Sequence, residues 1–167
     1  CGLLLNDQPA TSLKFSELTK VLREEVRKSG PPLYLVLEAP LSVAFNQDGN
    51  PAGRSIEKRG SQTRSWYVGL GCSVLVAATY LLRGIVEAKP QRDVRLVEGL
   101  VSFKPKGQAS NHEQDVEALK RVIWEPESDT GNIVVPIDLK QNSQHSLASA
   151  FAVAGMDFGV PAVIACS

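Results

Sequence analysis

The sequence predicts an α/β fold in which helices pack against a largely parallel sheet. Three observations carry this. Strand-like and helix-like segments alternate along the chain. The runs "LYLVLEA" and "VRLVEGLVSF" are apolar almost throughout, as strands buried on both faces are. Between them lie segments whose apolar residues recur every three or four positions, the spacing of a helix with one buried face. The length of 167 residues suits one domain with its own core.

Residues 2–6, "GLLLN", read as a short strand ending in the polar turn "NDQPAT". In "SLKFSELTKVLREEVRKSG", Leu18, Val21, Leu22 and Val26 fall on one helical stripe that Phe15 extends. Ser12 or Ser16 is placed to cap the start, Gly30 ends the helix, and Pro31 and Pro32 prevent continuation. The strand from Leu33 follows and stops on Glu38. The stretch 45–63 is polar and contains the turn chemistry "QDGNPAG", where Asn50 before Pro51 disfavours helix. A long apolar helix is expected over about 62–88, weakened near its end by Gly84. A third strand spans 94–103, and "KPKGQASN" is a loop. "HEQDVEALKRVIW" is an amphipathic helix with Val116, Leu119, Val122 and Ile123 on one side and Asn111 as its cap. "NIVVPID" is a short strand that Pro136 confines to an edge or an end. "SQHSLASAFAVAG" reads as a small-residue helix over about 143–155, and "PAVIACS" closes the chain as a strand or extended segment.

Composition narrows the function classes. Hydrophobic residues make up 43% and charged residues 22%, the balance of an ordinary water-soluble protein. Eighteen basic residues offset eighteen acidic ones, so no global field draws the chain to nucleic acid or to an anionic membrane, although a local basic groove is compatible with this. Ser65 to Leu82 is free of charge and, at 18 residues, just reaches spanning length; its Ser65, Ser73, Thr79 and two glycines favour a buried helix over a membrane span. Cys1, Cys72 and Cys166 are odd in number and far apart, which indicates reduced thiols in a cytoplasmic setting rather than a zinc site or a disulfide framework. A lipidated Cys1 is disfavoured because "CGLLLND" reads as folded strand. The lack of an initiating Met points to a start inside a longer gene product.

The residues able to carry chemistry are mostly acidic. Glu38 ends its strand, and in open α/β sheets functional groups gather at carboxyl ends of strands. There it is placed to ligate a divalent cation or act as a general base, or else to cap a helix or pair with an arginine. Glu57 lies in "GRSIEKR", and Glu98 interrupts the apolar run "RLVEGLV". A buried Glu98 requires a cation, a proton or a hydrogen-bonding partner; at a strand edge it would simply face solvent. If Glu38, Glu57 and Glu98 converge, their mutual repulsion calls for a hard cation such as Mg²⁺ or Mn²⁺. Arg54, Lys58, Arg59 and Arg64 form a basic cluster suited either to phosphates or to a solvated surface. Trp66 and Tyr67 beside it can stack on bases or anchor a helix start. "GLGCS" lies inside an apolar helical run rather than between a strand and a helix and is set aside as a phosphate loop. His112 and His145 show no ligand-pair spacing, and Ser146 lacks a nucleophile-elbow setting.

The series "FSEL", "YLVLEAPLS", "GNPAGRSIEKR", a long apolar helix and "RLVEGLVSFKP" resembles a family of predicted nucleases with a ribonuclease H-like fold. The similarity spans about residues 1–155, and "EAPLS" is its distinctive part. The resemblance implies a three-layer domain with a central mixed sheet flanked by helices, one or two Mg²⁺ or Mn²⁺ ions held by carboxylates, and phosphodiester hydrolysis. Carried onto this chain, it implies Glu38, Glu57 and Glu98 as catalytic carboxylates, Glu38 and Glu98 as metal ligands, and Arg54 as a phosphate contact; Arg59 and Arg64 of the basic cluster are expected as further substrate contacts. The family opens on a strand bearing an aspartate that has no counterpart here, as though an upstream first strand were missing; Asp7 falls in a turn. Ser143, His145 and Ser146 stand where the family's late helix carries acidic residues, with Asp138 a few positions earlier. Two function classes therefore follow: a metal-dependent nuclease or phosphohydrolase acting on nucleic acid or another phosphate-containing ligand, and a domain with the fold but not the chemistry that binds a partner or forms a homo-oligomer. Neither involves a membrane.

Overall fold

The computed structural model describes residues 1–59, 61–63, 69–101, 111–125, 127 and 131–166, with Arg59, Gln62, Thr63 and Leu70 described in backbone only. The chain is a mixed α/β structure with three helices among the described residues and several sheets. The principal sheet has four strands, β3 (Leu33–Leu37), β8 (Val94–Leu100), β11 (Ala162–Cys166) and β9 (Gly131–Val134), in that spatial order. β3, β8 and β11 run parallel, and β9 is antiparallel to β11, so the sheet is mixed.

The alternation of side chains across the sheet sorts the core. Leu33, Leu35 and Leu37 of β3, with Val94 and Leu96 of β8, point to one face. There they meet Leu18, Leu22 and Val26 of α1 (Phe15–Val26) and Leu81, Leu82 and Ile85 of α2 (Leu70–Glu87). Val36, Val97 and Ile164 point to the other face and pack on Leu119 and Val122 of α3 (His112–Trp124). The helices therefore cover both faces. Beyond the reach of α1 and α2, the first face is covered by Leu139 and Leu147, which pack with Leu100 and Val163.

Two-residue strands and a small second sheet complete the fold. β1 (Gly2–Leu3) pairs with β2 (Thr11–Ser12). β4 (Ser42–Phe45) lies between β5 (Pro51–Ala52) and β10 (Ser146–Ser149), antiparallel to both. β6 (Lys58–Arg59) pairs with β7 (Gln62–Thr63).

Several local expectations need correction. Residues 143–155 do not form a helix: Ser146–Ser149 is a strand on β4, followed by a 3₁₀ turn at Ala152–Ala154. Small residues have little side-chain preference to impose, and pairing with β4 outweighs it. α2 starts at Leu70 rather than near 62, with Gly69 at its N-cap at φ 64°, so "GLGCS" straddles the helix start instead of lying within it. Gln62 and Thr63 are strand. α1 is capped by neither Ser12 nor Ser16; Lys14 holds the N-cap, and its N–H donates to the Glu17 carboxylate at 3.0 Å. The Asn111 cap of α3 is as expected, with Oδ1 accepting from the N–H groups of Glu113 and Gln114. Residues 102–110, the end of the expected third strand and all but the last residue of the loop "KPKGQASN", lie outside the described residues.

β8 approaches α3 closely because residue 99 has no side chain. A Cβ on Gly99 would lie 2.7 Å from Cδ1 of Leu119, which is itself buried. Gly99→Ala should therefore lower stability by about 1–3 kcal/mol through overpacking, measured by denaturant unfolding. An unchanged unfolding midpoint would mean that this seam has room to spare.

Candidate functional site

Glu98 lies on the α1/α2 face of the sheet, since its neighbour in register is Leu37. Leu96 and Leu100, two positions to either side, are both buried. An isolated carboxylate there would be strongly unfavourable, so a partner is required. Arg54 supplies it. Its Nη1 and Nη2 donate to Oε2 and Oε1 of Glu98 at 2.8 and 2.7 Å, a two-pronged pairing that matches the planar guanidinium to the carboxylate. Nε donates to Oε1 of Glu57 at 2.9 Å, and Nη2 lies 2.8 Å from the same oxygen. Nη1 also donates to Ser42 Oγ at 2.8 Å. Glu57 folds back from a 3₁₀ turn (Ser55–Glu57) so that its Oε2 accepts the Arg54 N–H at 3.2 Å. Arg54, Glu57 and Glu98 are all 0% exposed.

The charges in this buried group do not cancel. One guanidinium faces two carboxylates, leaving one negative charge in excess. Burial accordingly pushes the Glu57 carboxyl above its ordinary range, against the opposing pull of Arg54. Burial also acts to lower the Arg54 pKa, but the hydrogen bonds and charges of Glu98 and Glu57 outweigh it and raise it.

Glu38 is not part of this group. It sits in the bend after β3, half-buried, and its carboxylate gathers with the His112 ring and the Asp115 carboxylate, one ligand atom of each lying within 4.8 Å of the others. His112 and Asp115 are three residues apart on the first turn of α3 and so share a side of the helix. Asp115 is buried and His112 exposed, which leaves the cluster open toward solvent on the histidine side. A Cβ on Gly2 would fall 2.3 Å from the His112 carbonyl oxygen, so β1 crosses this helix start at backbone contact.

The structure thus brings Arg54, Glu57 and Glu98 together on one face of the sheet and places Glu38 with α3 on the other. Arg54 is enclosed, with its donors turned inward. Arg64, Trp66 and Tyr67, and the side chain of Arg59, lie outside what is described. Lys58 is exposed, with Nζ 3.2 Å from Gln141 Oε1. Asp138 is exposed on a 3₁₀ turn (Pro136–Leu139), and its carbonyl accepts from Ser55 Oγ at 2.7 Å. Asp7 is exposed and lies 3.6 Å from Lys120 Nζ. Sequence reasoning missed His112 and Asp115 as neighbours of Glu38; their shared helix face was legible in "HEQD", but its approach to the end of β3 was not.

Compared with known families, curated proteins and solved structures, the chain matches none. No helix among the described residues is long and apolar enough to cross a membrane.

Replacing Arg54 with Met should cost about 3–5 kcal/mol in denaturant unfolding, because two carboxylates would stay buried without their counter-charge. The excess charge also sets a pH dependence. A carboxyl whose pKa is higher folded than unfolded binds its proton more tightly in the native state. Its contribution to stability is present below the unfolded value and is lost as pH rises through the folded one. Glu57→Gln should flatten that decline between the ordinary glutamate range and the raised value, followed as unfolding midpoint against pH. A slope unaltered by the substitution would show that Glu57 is not the group that holds the proton.

Proposed function

We propose that the chain is a divalent-cation-dependent hydrolase of phosphate esters, of ribonuclease H-like type, with its ion held by Glu38, Asp115 and His112. The observation that carries this is the convergence of those three ligand atoms within 4.8 Å. Its donors are of the kind a divalent cation takes, two carboxylates and an imidazole. The donor set also speaks to the metal: Mg²⁺ prefers oxygen ligands alone, whereas one imidazole with two carboxylates suits Mn²⁺. The exposure of His112 leaves room on that side for water and substrate. Such an ion would polarise a phosphoryl oxygen and lower the pKa of a bound water. The phosphodiester class rests on the resemblance whose distinctive part is "EAPLS". In this reading Glu57 and Glu98 do not ligate the ion, and Arg54 does not touch substrate.

A second reading is a binding or self-associating domain without the chemistry. Val76 and Tyr80, four residues apart on α2, support it by leaving 69% and 65% of their surfaces exposed. A mass that stays monomeric across a wide concentration series would remove that reading.

Mn²⁺ at a hundred times its dissociation constant should stabilise the protein by about 2.7 kcal/mol, raising Tm by roughly 5–10 °C for a chain of this size. Glu38→Gln or Asp115→Asn should abolish the gain, together with Mn²⁺-dependent cleavage of a nitrophenyl phosphodiester. If Mn²⁺ leaves the wild-type Tm where it was, the ion site does not exist. Binding without cleavage would leave a cation-binding domain and refute the hydrolase.

A further inference from the structure

Five residues, Glu38 to Ser42, join the two charged groups, and the turn they form is held at several points. Ala39 donates its N–H to the Leu37 carbonyl at 2.9 Å, which bends the chain immediately after the strand. Pro40 is buried and fixes its own φ. The Leu41 N–H donates to Oε2 of Glu98 at 2.9 Å, and the Leu41 carbonyl accepts from Ala150 N–H, also at 2.9 Å. Ser42 Oγ accepts from Nη1 of Arg54 at 2.8 Å. Leu41 and Ser42 are both 0% exposed. The segment therefore passes from the α3 face to the opposite face around β3, an edge strand of the principal sheet, with Glu38 at one end and a buried clamp at the other.

We infer that Glu98 and Arg54 are positioning residues for a metal-binding Glu38, acting through the backbone of this turn. The inference rests on the ion site proposed above and adds a coupling that the ion site does not require. Oε2 of Glu98 is shared between the Leu41 N–H and Nη1 of Arg54. Arg54 therefore fixes the carboxylate, and the carboxylate fixes Leu41, three residues from Glu38. An amide at position 98 would turn an N–H toward one of the guanidinium donors and force the fork to rearrange. Loss of the Ser42 hydroxyl would free one guanidinium N–H with a milder effect.

The test is Mn²⁺ binding by calorimetry, well below the melting temperature of each variant. Glu98→Gln should weaken Mn²⁺ by about 10–100-fold, the range seen when groups orienting a metal ligand are lost. Ser42→Ala should weaken it in the same direction by less, and it carries the test if the Gln variant does not fold. Leu22→Ala, which damages the core under α1 and touches neither group, should leave the affinity within about twofold, so that mere destabilisation is told apart from positioning. Wild-type affinity in Glu98→Gln and Ser42→Ala would overturn the coupling and leave the ion site standing. A weakening as large in Leu22→Ala would overturn it too. Absence of Mn²⁺ binding by the wild type would remove the ion site itself.

Discussion

A guanidinium with no solvent contact sits between the two sheets, and much of the architecture follows from holding it there. The Arg54 guanidinium gives two hydrogen bonds to Glu98, one to Glu57 and one to Ser42, all between 2.7 and 2.9 Å. Charges in such a place survive only with near-ideal geometry and with their remaining hydrogen-bonding capacity used, because the desolvation cost of each ion is several kcal/mol. The geometry here draws on three parts of the chain. Glu98 belongs to the principal sheet, Ser42 to the second sheet, and Glu57 to the 3₁₀ turn that also meets Asp138 through Ser55. A hydrophobic contact between the sheets would tolerate sliding. A guanidinium fork does not, so the ion group contributes register as well as contact.

The same distinction separates the two acidic groups. Around Arg54 the carboxylates are enclosed and matched to fixed donors, which leaves nothing for a ligand to do. Glu38 instead gathers with another carboxylate and an imidazole, and the imidazole is exposed. Both began as acidic residues in or beside apolar strands. They differ in setting: Glu98 faces a built-in cation, and Glu38 gathers with groups on the first turn of α3.

How much of this was legible depends on the range of the interaction. α1 and α3 follow from apolar spacing within a dozen residues, and β3 and β8 from continuous apolar runs. That Glu98 needs a partner was readable from "RLVEGLV", because burial of a lone carboxylate is prohibitive wherever the strand lies. That the partner is Arg54 was not, since the two are 44 residues apart and only the tertiary fold joins them. Arg54 and Glu57, three apart in "GRSIEKR", appeared as a phosphate contact beside a catalytic acid, and local sequence alone cannot say that they close on each other. β10 was hidden for the opposite reason. "SLAS" has no strong local preference, and its conformation comes from the edge of β4.

Which carboxylate meets the arginine is decided by strand register. Leu37 stands opposite Glu98, and in a parallel pair such neighbours point to the same face. Leu33, Leu35 and Leu37 are held to that face by packing on or beside α1 and α2. Because the side-chain period is two, a slip of one residue would turn all three leucines away from the helices. Glu38 comes one step after Leu37, where alternation and the bend both direct it toward α3. The apolar pattern of "LYLVL" therefore does more than build a core. By fixing β3 against β8 it holds Glu98 on the Arg54 side of the sheet and leaves Glu38 for the other.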